Sequence, residues 1–298
     1  MTFAFLFVKG YLFTLLFLIY IYIALAESWN ILGGYAGQIC LGAGAFFGTG
    51  AYAFALCLLD GLPFILCLII GGIAALGLAV ILIPMFKLRG IYFSMGSLFL
   101  PEILKSLVLN LKSVTRGASG LILPINSATH TAYCYFISLF IAVGVTFISY
   151  MISKSRIRLA FEAVREDENA AASLGVNIVK FKIIALLLTS FFCGMAGGIY
   201  AYQMVYIEPY GVFELSWSVT PVFMSVIGGV GSIIGPLVGA SIYLFLSQAI
   251  ATSIGEMNLL VLGLLLIIVM LFTPQGVTGA LRNIYKKYFV TERGESKS

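Results

Sequence analysis

Inside the long apolar runs of this chain only a few side chains can carry charge, and each narrows the chemistry available. Glu102 and Lys105 stand three residues apart, a spacing that puts a carboxylate and an ammonium on one helical face where they neutralise each other. Pro101 beside them marks a kink, and together they are expected to form a locally polar site turned into the bundle interior. Glu27, near the end of the first apolar segment, is a further candidate. Ionisable groups at membrane depth are costly unless they are paired or face a cavity, so these positions point to a solute or ion pathway. Nucleophilic and metal chemistry find little to build on. His130 is the one histidine, and Cys40, Cys57, Cys67, Cys134 and Cys193 lie in apolar stretches without a C-x-x-C pair, as small buried hydrophobes do. No G-x-x-x-x-G-K-[ST] phosphate loop occurs, and the fragment Gly229-Val-Gly231 has Ile234 where a dinucleotide fingerprint needs glycine. Work against a gradient would therefore draw on ions or on a separate ATPase.

The densest charge cluster lies elsewhere, in the island from Ser153 to Lys182. It holds six bases (Lys154, Arg156, Arg158, Arg165, Lys180, Lys182) and four acids (Glu162, Glu166, Asp167, Glu168) in a chain only 10% charged. Glu166, Asp167 and Glu168 followed by Asn169 and the alanines from Ala170 read as the first turn of a short helix. Acids suit the positive end of the macrodipole, alanine has the best helix propensity, and Gly175 can end the helix in a left-handed conformation. The expected helix has about ten residues, or ~15 Å.

Composition fixes what surrounds that island. With 61% hydrophobic residues and a mean hydropathy of +1.08, the chain is no ordinary soluble domain. Apolar runs of about 20 residues recur from end to end and are continuous rather than alternating, which excludes a barrel and predicts an all-α polytopic transmembrane bundle. The net charge of +5 is concentrated in the island and in the tail 282–298, where Arg282, Lys286, Lys287, Arg293 and Lys297 stand. Both are expected on the cytoplasmic side by the positive-inside rule, and the basicity is a topology signal with no soluble face for nucleic acid. Tyr11–Ile23 followed by Ala24-Leu-Ala26 has the look of a signal-peptide core, but the leading segment is itself apolar with only Lys9, so it reads as the first span. About five crossings precede the island and about four follow it, which gives about eight to ten spans in one transmembrane domain, an outside N-terminus and a cytoplasmic C-terminus.

Glycine is patterned as well. Gly33/Gly37, Gly44/Gly48, Gly194/Gly198 and Gly231/Gly235/Gly239 recur at four-residue spacing, which puts small residues on one helix face and lets backbones approach. The passage Gly33–Gly50 and the turn Gly228-Gly229-Val-Gly231 carry more glycine than packing asks for, and mark thin or broken helices along a pathway. Asn30, Gly37, Gln38 and Gly42 in the first, Gly228, Gly229 and Gly231 in the second, and Glu102 are the candidate pathway residues. An interior so poor in charge suits a zwitterionic or neutral solute with an apolar side chain.

Seven stretches, collinear from about residue 25 to 280, resemble the branched-chain amino acid ABC transporter permeases of the LivM type. The first runs from Trp29-Asn-Ile-Leu-Gly-Gly-Tyr to Gly50-Ala-Tyr52. Leu88-Arg-Gly-Ile-Tyr92, Thr115-Arg-Gly-Ala-Ser-Gly-Leu121 and Ala163-Val-Arg-Glu-Asp-Glu-Asn-Ala-Ala-Ala-Ser-Leu-Gly-Val-Asn177 follow. Gly194-Met-Ala-Gly-Gly-Ile-Tyr-Ala201, Val226-Ile-Gly-Gly-Val-Gly-Ser-Ile-Ile-Gly-Pro236 and Leu271-Phe-Thr-Pro-Gln-Gly276 complete the set. The resemblance implies that the island, Arg165 to Gly175, is the coupling helix that docks onto an ATPase. Asn169-Ala170-Ala171-x-x-x-Gly175 matches the E-A-A-x-x-x-G pattern, with Asn169 where that pattern has Glu. It further implies a sister permease, two ABC ATPase subunits that bind ATP and Mg, and a periplasmic or lipid-anchored substrate-binding protein. The chain itself would have no cofactor or enzymatic activity and would sit among the lipids of a bacterial inner membrane. Leucine, isoleucine and valine are the implied cargo, with urea or short amides carried by relatives; an ion-coupled carrier using Glu102 and a passive channel are the readings from other classes.

Overall fold

The computed structural model describes residues 2–88, 90–124, 130–254, 263 and 276–279. Helix α1 (Thr2–Trp29) runs on through a wider π-helical turn, Asn30–Tyr35, and the chain then leaves helical geometry until α2 (Ala43–Leu59). Next come α3 (Phe64–Leu82), α4 (Ile91–Leu98) and α5 (Leu100–Asn110), the last two meeting at Phe99. Pro101 sits in the first turn of α5, where a missing N–H has no helical partner to lose. A short α6 (Lys112–Thr115), β1 (Leu121–Ile122) and the long α7 (His130–Lys154) precede the charged island. The island folds as α8 (Arg156–Glu166) and α9 (Glu168–Ser173). It delivers the chain to α10 (Ile178–Met204), β2 (Tyr206–Ile207), α11 (Pro209–Val212), α12 (Ser216–Gly228) and α13 (Ile234–Ile254).

Among the described residues, six segments are long and apolar enough to cross a bilayer: Leu12–Tyr35, Phe64–Phe86, Ile91–Asn110, His130–Lys154, Ile178–Met204 and Pro209–Gly228. Ala43–Leu59 and Ile234–Ala249 are shorter apolar helices. The protein is an all-α polytopic membrane protein, with one antiparallel pair of two-residue strands (Leu121 opposite Ile207) as its only sheet among the described residues. The last expected span, Leu259–Thr273, and the tail 282–298 lie outside the described residues, apart from Gly263.

Burial follows bilayer logic. On α7 the buried face runs Cys134, Ser138, Ile141, Val145, Ser149 and Ile152, while Phe136, Phe140, Val143 and Phe147 are exposed. Large apolar residues thus point outward, as a lipid-facing surface permits, and small or hydroxylated ones point in. Helix α10 lies at the centre, packed along α2 and α3 and also meeting α1 and α7, while α12 pairs with α13. These crossings are close because they are made of glycine. A Cβ on Gly50 would strike the Gly194 backbone, one on Gly197 the Phe47 carbonyl, and one on Gly239 the Met224 carbonyl. Around the α2–α10–α12 crossing Phe47 stacks on Trp217 at 4.2 Å, with Tyr200 edge-on at 4.8 Å.

The expected Gly33/Gly37 face does not form. Gly33 lies in the π-helical turn beneath its own Trp29, and Gly37 (φ +70°) is already outside the helix. Gly44 and Gly48 do share a face, on which they meet Ser218 and Phe213.

Hydrogen bonds sort the connections into two ends. At one, β1 and β2 pair, Tyr206 reaches Ser119 and His130 Nε2 lies 2.9 Å from the Tyr202 carbonyl. At the other, the 30–41 passage meets the start of α4, the Gly228–Ser232 turn and the island.

Gly50→Val and Gly197→Val are each expected to cost about 3 kcal/mol or more, the upper range for overpacking, because backbone rather than a flexible side chain blocks the new methyls. Gly77→Ala, where nothing lies within 4 Å, is the matched control and should be tolerated. Thermal unfolding of the detergent-solubilised protein, followed by size-exclusion, separates the two classes.

Candidate functional site

The candidate site is the place where two transmembrane helices stop being helices. In hydrocarbon each backbone N–H and C=O needs a partner, and a broken helix must find its partners elsewhere. The π-helical widening of α1 leaves carbonyls free at its end. Ser225 Oγ donates to the Ala26 carbonyl at 3.0 Å and Thr189 Oγ1 to the Ser28 carbonyl at 2.7 Å. Past the widening, Trp29 Nε1 donates to Cys40 O at 2.8 Å and Ser94 Oγ to Ile39 O at 2.7 Å, while the Leu41 N–H donates to Ser97 Oγ at 2.9 Å. The second break, after α12, uses Gly229 (φ +121°) and Gly231 (φ +76°) in conformations closed to L side chains.

Asn30 ties the two breaks together. Its Oδ1 accepts from the Gly231 N–H at 2.8 Å and its Nδ2 donates to the Ser232 carbonyl at 2.9 Å, so one amide replaces two missing backbone partners. Gly34 packs so close to Asn30 and the Gly231 N–H that no side chain fits there. Thr278 Oγ1 donates to the Gly228 carbonyl at 2.6 Å and Gly276 (φ +70°) lies on Gly229, which brings a third glycine-bearing segment to the same spot. Of the expected pathway residues, Asn30, Gly37, Gly228, Gly229 and Gly231 thus converge. Gln38 is buried beside them with its N–H on the Leu32 carbonyl, and Gly42 caps the start of α2 against Ser97.

The charged island reaches the same junction. Helix α8 buries Phe161 and Val164, and α9 buries Ala171; the rest of both helices is exposed or half-buried. The single helix of about ten residues expected from Glu166 is replaced by a six-residue α9. Asp167, not Glu166, is its cap: Oδ1 accepts from the N–H groups of Asn169 (2.8 Å) and Ala170 (3.2 Å), while Glu166 ends α8. Aspartate is short enough to fold back on its own helix start, which the propensity argument alone passed over. The other end is as expected: the Val176 N–H bonds the Ala171 carbonyl (3.0 Å) and the Gly175 N–H the Ala172 carbonyl (2.9 Å), with Gly175 at φ +82°.

Two cations fasten this unit. Lys182, 3% exposed on α10, holds Glu168 at 2.6 Å. Arg165 lies over Gly37, whose missing Cβ makes room for it, and donates from Nη1 to the Gly34 carbonyl at 3.0 Å. The island is therefore bonded into the broken-helix junction and does not hang free as a loop.

The membrane-depth acids separate. Glu27 is fully buried; Oε2 accepts from Ser149 Oγ at 2.9 Å, and Oε1 has no partner among the described residues. Glu102 pairs with Lys105 at 2.6 Å as the spacing requires, but its side chain is 53% exposed on the chain's surface, not turned into its interior. No group of three or more His, Cys, Asp or Glu side chains able to hold a metal occurs among the described residues.

With this geometry in place, the family model of the branched-chain amino acid transport system permease component matches residues 11–270. The chain belongs to that family. The LivM permease protein of the high-affinity branched-chain amino acid transport system of Escherichia coli is 29% identical over 92% of this chain and 72% of its own length. Its Salmonella typhimurium counterpart is 28% identical over the same shares. Among solved structures, PsaBC from Streptococcus pneumoniae in complex with Fab superimposes with a TM-score of 0.52 at 16% identity, covering 90% of this chain and 93% of that one, which shows a shared fold. In the permease the residues that sequence reading overlooked are the helix menders: Trp29, Ser94, Ser97, Thr189, Ser225 and Thr278. A hydroxyl in an apolar span is visible in sequence, but it can also bond its own helix one turn back, so its distant partner is not.

Asn30→Ala should leave the Gly231 N–H and Ser232 carbonyl unpartnered and cost about 1–3 kcal/mol each way the loss is counted. Asn30→Asp, which keeps the acceptor and loses the donor, should fall between. Melting temperatures of the purified variants test the ordering.

Proposed function

We propose that this chain is the membrane-crossing subunit of an ATP-driven importer of branched-chain amino acids, moved through α9 by a separate ATPase. One observation carries the reading: the capped, glycine-ended helix α9 lies outside the spans, is tied to α10 by the Glu168–Lys182 pair, and follows directly on α8, whose Arg165 bonds the Gly34 carbonyl at the junction where α1 and α12 break. Asn169, Ala170, Ala172, Ser173 and Leu174 are exposed, a small surface of short side chains with one apolar knob, suited to a groove on another protein. Its end is set by the backbone of Gly175, where an added Cβ would meet nothing within 4 Å, so the motif shapes the segment without filling a core.

In this reading Arg165, Glu166, Asp167, Glu168, Asn169, Ala170, Ala171 and Gly175 form the coupling unit of segment 153–182, and the positive-inside rule puts it in the cytoplasm. The six long and two shorter apolar helices, with segment 259–273, then support about nine crossings, an outside N-terminus and a cytoplasmic tail at 282–298. The breaks at Asn30–Gly42 and Gly228–Gly231 lie at the cytoplasmic end and act as the inner closure of the pathway. ATP and Mg belong to two ATPase subunits. A sister permease completes the route, and a periplasmic or lipid-anchored binding protein delivers leucine, isoleucine or valine to the bacterial inner membrane. The branched-chain amino acid transport system to which the relatives belong favours these cargoes over urea or amides.

Gly175→Val is expected to abolish labelled-leucine uptake while the protein still reaches the membrane, because φ +82° costs a non-glycine residue roughly 1–2 kcal/mol and a β-branched one more. Gly175→Asn, which tolerates that conformation, should retain partial uptake. Wild-type uptake by Gly175→Val, or failure of ATPase subunits to co-purify with the parent chain, would sink the reading.

A further inference from the structure

The span Ile91–Asn110 is the least covered by its own chain: 22% of it is buried, against 67% for Ile178–Met204. A lipid-facing helix would show only apolar residues on such a surface, as α7 does. This one does not. Met95, Phe99, Glu102, Ser106 and Asn110 are all exposed, at spacings of four, three, four and four, so they form one stripe along the kinked pair α4–α5. Three of the five are polar, and Glu102 lies about 16 Å from the start of a span of about 30 Å, near mid-membrane. A half-exposed carboxylate there cannot face acyl chains. Toward the end that carries β1 and β2 the stripe continues into exposed Lys112, Ser113 and Arg116; toward the other end it closes on Met95 and Phe99.

The charges on this stripe are a matched pair. Lys105 Nζ lies 2.6 Å and 2.7 Å from the two Glu102 oxygens and 5.8 Å from the centre of the Tyr210 ring on α11, so the ammonium sits between ring and carboxylate while the Glu102 side chain keeps 53% of its surface exposed. Phe99 (60% exposed) and Ile103 (58%) flank the pair with apolar surface. An anion and a cation side by side, next to exposed aromatic and branched aliphatic groups, complement a zwitterion with an apolar side chain. We infer that the Met95–Asn110 stripe is the water-facing wall of the translocation route, and that Glu102 and Lys105 receive the ammonium and carboxylate of the passing amino acid while Phe99 and Ile103 meet its side chain. The inference rests on the permease reading above and names the substrate contact that reading lacks.

The test uses the full transporter with its partner subunits in sealed vesicles. Ser106→Cys is probed with a charged, membrane-impermeant sulfhydryl reagent, with Ile65→Cys on the exposed apolar face of α3 as control. The expected result is reaction at position 106, slowed severalfold by saturating leucine, and none at position 65. Glu102→Gln and Lys105→Met should each lower leucine uptake about tenfold or more, the loss of one charge-assisted contact, in complexes that still retain their ATPase subunits. A Ser106→Cys that reacts only with a lipid-soluble maleimide overturns the inference, because the stripe then faces lipid. Reaction without leucine protection, together with normal uptake by Glu102→Gln, also overturns it and leaves the permease reading standing. Absence of ATPase subunits from the parent complex removes the permease reading itself.

Discussion

Everything in this fold answers to one constraint, that a peptide group in hydrocarbon cannot go without a hydrogen-bond partner. A continuous helix meets it by itself. This chain interrupts α1 and α12 at the same level, and the cost of that interruption selects much of what stands nearby. Asn30 is there because a primary amide offers a donor and an acceptor at one position, which is what the Gly231 N–H and Ser232 carbonyl lack. Trp29, Ser94 and Ser97 each return one bond to the stretch 39–41 that has left helical geometry, and Thr189 and Ser225 bond carbonyls of the last turn of α1 before its π-helical widening.

Such a junction differs in kind from the glycine crossings of α10 with α2 and α3. At those crossings backbone touches backbone and rigidity follows from volume, since no atom can be added at Gly50 or Gly197. At the junction the bonds run through side chains with rotatable torsions, and three separate segments share them. The chain thus has a rigid centre and one end held by exchangeable polar contacts. Arg165 joins the island to the second of these, through the carbonyl of Gly34, and not to the first.

What the sequence made legible follows from which forces are local. Hydropathy placed α1, α3, α7 and α10 because crossing a bilayer is a property of a run of about 20 residues and needs no knowledge of neighbours. The Glu102–Lys105 pair and the left-handed Gly175 were legible for the same reason, being set within one turn of chain. The direction of Glu102 was not, since Ile91–Asn110 carries polar residues on more than one face (Ser94 and Ser97 as well as Glu102) and periodicity could not say which of them the protein covers. The cap at Asp167 was not singled out, because reading Glu166, Asp167 and Glu168 together as a first turn ignores which of them can reach back to the N–H groups. The Gly33/Gly37 face failed because a four-residue spacing presumes the α-helix, and the chain there is first π-helical and then irregular, with Gly37 at φ +70°.

The two acids at membrane depth show how completely position decides what a residue type means here. Glu27 is sealed among α1 and α7, with the Ser149 hydroxyl on one oxygen and no partner for the other among the described residues. Glu102 has an ammonium at 2.6 Å and more than half its surface open, a pair whose open side has to be solvated. Water can reach it only if the α4–α5 surface is not against lipid. The exposed pair therefore constrains the assembly more strongly than any buried residue does: whatever covers this face must leave it wet.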